Sequence, residues 1–368
     1  MRFPEFEDEW ENIALNELGD FKGGGTPSST NLSFWNGSIP WISSSDLDEN
    51  SINNLRVSRF ITQEAIDNSA TKFCDAPVIL IVSRVGVGKV VYSNKSICTS
   101  QDFLNITNIR CNGLFLAHLL SVLMKKEASN VQGTSIKGIS SNEIKSKKIF
   151  IPKDIEQQRI ASFLSLLDER IQTQIKIIKE LKVLKNLLRN QLYERISNEE
   201  NEILCIKEIL EYEQPTKYLV TNTDYSSDNL LVPVLTANKA FILGYTDENF
   251  GVYEKGDCII FDDFTMDLKY VDFSFKVKSS AIKILKPRPN YNLKFIFEYL
   301  HFLDLQSTEH KRHYISEIEP MEIAMPNIGV RNDIAKVLST IDKKIVLEIK
   351  TYELLSKQKQ YLLQNLFI

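Results

Sequence analysis

The stretch IFIPKDIEQQRIASFLSLLDERI (149–171) returns as IAMPNIGVRNDIAKVLSTIDKKI (323–345), at a constant offset of 174. Without a gap, Ile149/Ile323, Pro152/Pro326, Ile160/Ile334, Ala161/Ala335, Leu164/Leu338, Ser165/Ser339, Asp168/Asp342 and Ile171/Ile345 are identical. Asn142-Glu143-Ile144 ahead of the first copy matches Ser316-Glu317-Ile318 ahead of the second. An ordered set of this kind marks an internal repeat. The chain is therefore read as one plan used twice.

Each copy leads into a long helix. Seam positions recur at steps of four and three: Leu167, Ile171, Gln174, Ile178, Leu181, Lys185, Leu188 and Leu192 in the first. The second has Ile341, Ile345, Glu348, Tyr352, Leu355, Lys359, Leu362 and Leu366. A 3.5-residue period held over this length is a coiled-coil signal. Two helices with one seam are expected to pair with each other. Parallel pairing in register would set Lys185 against Lys359, and an unpaired ammonium in an apolar seam is costly. Antiparallel pairing is expected instead, with Lys185 facing Glu348, Gln174 facing Lys359, Leu181 near Tyr352 and Ile178 near Leu355. The fold class that follows is α+β. Two mixed α/β domains are separated by two long helices forming an antiparallel coiled coil with an internal pseudo-twofold repeat.

The expected division is 1–150, a first globular domain; 151–196, a central helical arm; 197–322, a second globular domain; and 323–368, a C-terminal arm. The first domain shows strand-like runs at 78–82, 88–92 and 103–106 and a helix at 114–125. The second repeats the plan, with strands expected at 232–236, 258–261, 273–277 and 281–285 and a helix at 293–303. A length of 368 residues, with 43% hydrophobic and 25% charged residues, excludes a disordered polymer or a disulfide scaffold. The five scattered cysteines form no C-x-x-C pair, so neither zinc nor disulfides are expected. No apolar run reaches bilayer length, and the acidic start, MRFPEFEDEW, is unlike a signal peptide, so a cytoplasmic protein without membrane contact is expected. Net charge is −4, yet residues 21–150 carry 14 Lys+Arg against 9 Asp+Glu and residues 197–313 carry 13 against 19. Bulk attraction to polyanions is thus not what this chain relies on.

With these features the chain resembles the specificity (S) subunit of type I restriction-modification systems, the HsdS family. The resemblance is carried by GGGTPS (23–28), IPWISSSDL (39–47), VSRVGVGKV (82–90), QGTSIKGIS (132–140) and IPKDIEQQRIASFLSLLD (151–168). In the second half it is carried by EQPTKYL (213–219), VPVLTANKAFILGY (232–245), IIFDDF (259–264), KSSA (278–281) and HKRHYIS (310–316). At the start of the second arm IGVRNDIA (328–335) departs from IEQQRIA (155–161). The resemblance implies two target-recognition domains, each reading half of a bipartite site in double-stranded DNA. It also implies two modification subunits that methylate adenine and restriction subunits that translocate and cleave. S-adenosylmethionine, ATP and Mg would belong to those partners, and this chain would hold no cofactor and catalyse nothing.

The residues agree with a non-catalytic role. There is no G-x-x-x-x-G-K-[ST]; Gly86-Val87-Gly88-Lys89 lacks the spacing and reads as a turn. No metal-ligand spacing surrounds Asp262-Asp263, and adjacent strand residues point to opposite faces. Base-reading candidates combine small residues with hydrogen-bonding ones. In the first domain they are Lys22, Gly24, Thr26, Ser43, Ser44, Ser45, Arg84, Lys89, Gln132, Ser135 and Lys137. In the second they are Thr236, Asn238, Lys239, Asp262 (as an acceptor for cytosine), Lys278, Ser279, Lys311 and Arg312. The seam shared by 167–192 and 341–366 measures about 38 Å at 1.5 Å per residue, close to one turn of B-DNA. The helices are therefore expected to act as a spacer between half-sites. A coiled-coil scaffold for protein partners is the alternative from another class, and the specificity subunit of a fused restriction–methylation enzyme the alternative within the family.

Overall fold

A proline stands two residues ahead of each long helix and ends the strand before it, since its ring removes a ladder donor. The first long helix, Asp154–Asn198, then opens with Asp154 and Glu156, which suit the positive end of the helix dipole. The second, Ile328–Leu366, starts by different means. Asn327 Oδ1 accepts from the Val330 amide at 3.1 Å, a side-chain cap. The departure from the repeat at this point therefore leaves the helix start intact.

The structure is a computed structural model and describes residues 2–48, 51–131, 138–236, 240–307 and 311–367. The chain divides into two units, 1–176 with 350–368, and 177–349. In the first unit the strands are β1 Glu11–Ala14, β2 Asp20–Gly23, β3 Ile39–Ile42, β4 Arg59–Ile61, β5 Phe73–Cys74, β6 Val78–Val82, β7 Val90–Ser93, β8 Ile97–Thr99, β9 Phe103–Thr107 and β10 Lys148–Ile151. Its helices are α1 Gln63–Asp67, α2 Gly113–Val131, α3 Ser141–Lys145 and the first part of α4 Asp154–Asn198. One sheet runs β2-β9-β6-β7, a second runs β4-β3-β8-β5, and β1 pairs β10.

The second unit has strands β11 Glu202–Cys205, β12 Leu210–Glu213, β13 Val232–Leu235, β14 Ile242–Thr246, β15 Cys258–Asp262, β16 Leu268–Val271, β17 Lys276–Val277, β18 Ile282–Pro287 and β19 Glu322–Met325. Helices α5 Ile206–Ile209, α6 Leu293–Phe302 and the first part of α7 Ile328–Leu366 complete it, with the last part of α4. Its sheets are β12-β18-β15-β16 and β14-β13-β17, and β11 pairs β19. The two units share a strand plan except for β5, which has no counterpart among the described strands of the second unit, and each second sheet has a parallel pair: Ile42 beside Thr99, and Leu235 beside Val277. The expected elements are present with shifted ends. The strand expected at 273–277 starts only at Lys276, and the helix expected to end at 125 runs on to Val131.

Each unit buries its own part of the helical seam. In the first, Ile160 and Leu164 of α4 share a core with Leu362 and Leu366 of α7, and with the sheet residues Ile79, Ile81, Leu104 and Ile106. In the second, Leu188 and Leu192 pack on a core containing Ile334 and Leu338. The helices run antiparallel within each unit, as expected, but the ion pairs correct the expected register. Lys185 Nζ meets Asp342, 2.7 Å away, rather than Glu348, and Lys359 is ion-paired with Asp168. Six positions separate Asp342 from Glu348, about 9 Å along a helix and more than a lysine side chain spans. The helices therefore pair about one heptad away from the expected register, and the ammonium meets an acid on the flank just outside the stripe used to read the pattern.

The two nodes are equivalent under the repeat and differ in what surrounds them. Lys185 also pairs with the fully buried Glu298, which takes Arg189 and Lys294 as well. Burial raises the pKa of Glu298, but Lys185, Lys294 and Arg189 outweigh it and hold the carboxyl below its usual range. In the first unit the corresponding neighbour is the buried His118, pushed down to about 3 by burial and then by Lys359, and so uncharged. The cysteines are free. Burial pushes Cys74 up to about 11 and Cys98, Cys111 and Cys258 up to about 12, which leaves poor nucleophiles.

Removing one partner of a buried pair strands the other charge. Asp168→Ala is expected to lower the unfolding free energy by about 3–5 kcal/mol in denaturant titration. The double variant Asp168→Leu with Lys359→Met should recover most of that loss.

Candidate nucleic-acid interface

In the first unit three loops meet where β3, β6 and β8 end. The turn after β3 carries Ser43, Ser44 and Ser45. The hairpin between β6 and β7 carries Arg84 and Lys89, and the chain entering α3 begins at Gly138. Lys89 Nζ donates to the carbonyls of Ser44 and Leu47, each at 3.2 Å, and ties hairpin to turn. Ile139 N donates to Ser83 O at 2.8 Å and brings the third loop against the same hairpin. Arg84 is exposed at the hairpin tip, and Thr26 is exposed.

The Ser43 turn is tightly organised. Ser43 Oγ lies 2.8 Å from Ser45 Oγ and 3.1 Å from Asp46 Oδ2, and accepts from Arg59 Nη2 at 2.7 Å. Asp46 Oδ2 also accepts from Ser43 N at 2.8 Å and is ion-paired with Arg59. Lys22 is not part of this cluster; its ammonium turns to Phe73 O at 3.3 Å and Asp75 at 3.6 Å. Gly24 is a glycine for an internal reason, since a Cβ there would lie 2.0 Å from Ser100 O. Gln132, Ser135 and Lys137 lie outside the described residues.

The second unit builds the equivalent place with the same backbone hydrogen bonds. Ser100 N donates to Ile42 O at 2.9 Å, as Lys278 N does to Leu235 O at 3.1 Å. Ser83 N donates to Asp102 O at 2.8 Å, as Asp263 N does to Ala281 O at 3.0 Å. Ile139 N donates to Ser83 O, as His313 N does to Asp263 O at 3.0 Å. The turn at Ser43 thus answers to the one at Thr236, the Arg84 hairpin to the residues after Asp262, and the loop ahead of α3 to that carrying Lys311 and Arg312. Candidates that the sequence presents as separate clusters fall on corresponding loops.

Individual side chains then divide. Lys278, Lys311 and Arg312 are exposed, with Lys311 Nζ 3.1 Å from Glu317. Thr236 is buried, and Ser279 Oγ accepts from Ala281 N at 3.1 Å. Asp262 Oδ1 accepts from the amides of Phe264 at 2.9 Å and Thr265 at 3.0 Å, so this oxygen already organises the turn. Asn238 and Lys239 lie outside the described residues. Sequence reading missed Arg59, because only the β3–β4 pairing brings it beside Trp41, 18 positions earlier. It also missed the buried support under the second site. There Lys276 Nζ lies 2.8 Å from Glu248 Oε2, and Glu248 accepts from the amides of Thr221 and Asn222. Burial raises the pKa of Glu248, but Lys276 and Thr221 pull the carboxyl down to about 2. Among the described residues no group of three or more His, Cys, Asp or Glu is placed to hold a metal ion. Nor, among the described residues, is any helix long and apolar enough to cross a membrane.

The architecture defines a class: a duplicated α+β protein whose two loop clusters sit on corresponding sheet ends, each unit followed by a long helix. Residues 7–183 match the family described as the type I restriction modification DNA specificity domain. The chain is similar to the EcoR124I/EcoR124II specificity subunit of Escherichia coli, with 42% identity over 176 residues, 44% of this chain and 43% of that protein. It is similar to the MjaIX specificity subunit of Methanocaldococcus jannaschii, with 29% identity over 201 residues, 52% of this chain and 46% of that protein. These matches span under half the length of each relative. The whole fold is similar to the crystal structure of the type I restriction-modification S subunit from M. genitalium. There the TM-score is 0.66 at 16% identity, over 100% of this chain and 99% of the other. A chain from a structure of type I R-M complex assembly and conformational transition gives 0.57 at 15% identity, over 98% of both.

Two outcomes follow. Lys89→Met is expected to speed hydrogen exchange of the Ser44–Leu47 amides roughly tenfold, the loss of about one charged hydrogen bond. The Glu248 contribution is complete above the unfolded carboxyl's pKa, near 4.5, and is lost as pH falls through about 2. Glu248→Gln should therefore flatten the acid dependence of stability across that window, read from denaturant midpoints at stepped pH.

Proposed function

We propose that this chain is the DNA sequence-specificity subunit of a type I restriction-modification complex and carries no catalysis of its own. The observation that carries the reading is the repeated loop cluster: the same backbone hydrogen bonds support it in both units, and the matched specificity domain contains the first copy. Residues 1–150 and 197–322 are taken as target-recognition domains, 151–196 and 323–368 as arms. Each domain reads one half of a bipartite site in duplex DNA. Ser44, Ser45 and Arg84 in the first, and Lys278 in the second, face base edges, while Lys311 and Arg312 contact phosphates. Gln132, Ser135, Lys137, Asn238 and Lys239 belong to the same loops by sequence.

The arms bind two modification subunits. Large apolar side chains left exposed on them support this: Leu166 at 65% and Leu354 at 59% in the first unit, Leu187 and Leu347 at 56% each in the second. Methyl transfer to adenine, ATP-driven translocation and cleavage belong to the partner subunits, with their S-adenosylmethionine, ATP and Mg. The setting is the cytoplasm, where the DNA is.

Methylome sequencing of a host that expresses the chain with its modification partner tests the reading. Two short defined half-sites around an unspecified gap are expected; methylation without a bipartite motif overturns it. The helices, each continuous through 154–198 and 328–366, are proposed to set that gap. One heptad added to each arm lengthens the pair by about 10 Å, roughly three base pairs. The preferred gap should grow by about that much with both half-sites unchanged.

A further inference from the structure

Arg59 belongs to none of the motifs in the sequence, yet the fold treats it as a prepared group. The β3–β4 register sets it beside Trp41, and its guanidinium lies over the indole at 4.6 Å from the ring centre. Trp41 is itself fixed. It is 3% exposed, donates from Nε1 to Gly25 O at 3.0 Å and packs edge-on to Trp35. On one edge Arg59 Nη2 is held by Ser43 Oγ and Asp46 Oδ2. Among the described residues Nε and Nη1 make no hydrogen bond, and the side chain remains 39% exposed.

A guanidinium clamped on one face and at one nitrogen has already lost most of its rotamer freedom, so a new contact orders little more. Nη2, common to both paired edges of a guanidinium, is taken by Ser43 and Asp46, and the open Nη1 donor suits O6 or N7, the acceptors that guanine presents in the major groove. A solvated surface arginine would not need an indole and a carboxylate to hold it. We propose that Arg59 reads a guanine in the half-site taken by the first unit, with Asp46 and Trp41 as its buttress. This rests on the specificity-subunit reading and adds to it a residue and the base it selects.

The test uses the full chain assembled with its modification subunits, and methylation rates on duplexes varied one base pair at a time. The wild-type complex must first show a bipartite motif; without one, the specificity reading fails and takes this inference with it. Given the motif, Arg59→Gln should erase discrimination at a single G·C position of one half-site, by roughly 10- to 150-fold, the loss of one charge-assisted hydrogen bond. The other half-site should stay as selective as before, which also shows that the complex is folded. Asp46→Asn should loosen the same position to a smaller extent, and it decides the matter if the Arg59→Gln complex does not assemble. A uniform loss across the half-site would make Arg59 a support for the Ser43 turn and overturn the inference. Unchanged selectivity would overturn it equally.

Discussion

A lysine buried in a helix seam must find a carboxylate, and in this molecule the internal repeat supplies two such pairs at once. Asp168 with Lys359 and Asp342 with Lys185 are the same contact, each helix giving its acid to one unit and its lysine to the other. A duplicated helix paired antiparallel with its own copy repeats every contact in this way. Within each unit the register of the two helices is the one that satisfies its own pair. With Lys359 7% exposed and the Lys185 side chain 12%, a slip within either unit leaves an unpaired charge largely shielded from water. The arms that follow each globular core are held by this constraint.

Around the shared pairs the units have diverged. The second surrounds its node with Glu298, Arg189 and Lys294, whereas the first uses the uncharged His118. The loops at the sheet ends show the same relation on a finer scale. The backbone hydrogen bonds made by Ser83 and Ser100 in the first unit are repeated by Asp263 and Lys278 in the second, while the side chains differ. A constant backbone with changed side chains fits the proposed pair of half-site readers, since bases are told apart by side-chain donors and acceptors.

Much of this was legible beforehand. The repeat, the two helices, their antiparallel sense and most strands follow from period and from prolines and glycines, which act locally. The partner of Lys185 was not legible, because Asp342 lies beside the seam and a seam pattern counts only positions within it. Nor were the inward turn of Lys89 onto Ser44 and Leu47, the capping role of Asp262, or the packing that makes Gly24 a glycine. Each depends on a neighbour distant in sequence.

By itself the sequence determined that the plan is used twice, where the helices lie and which loops are polar, for those are properties of spacing and residue type. Tertiary structure alone decided which polar groups are spent within the fold and which are left open. A hydrogen-bonding side chain is chemically the same in either role, and only the position of its neighbours shows whether Lys89 braces a turn or Arg59 keeps donors free.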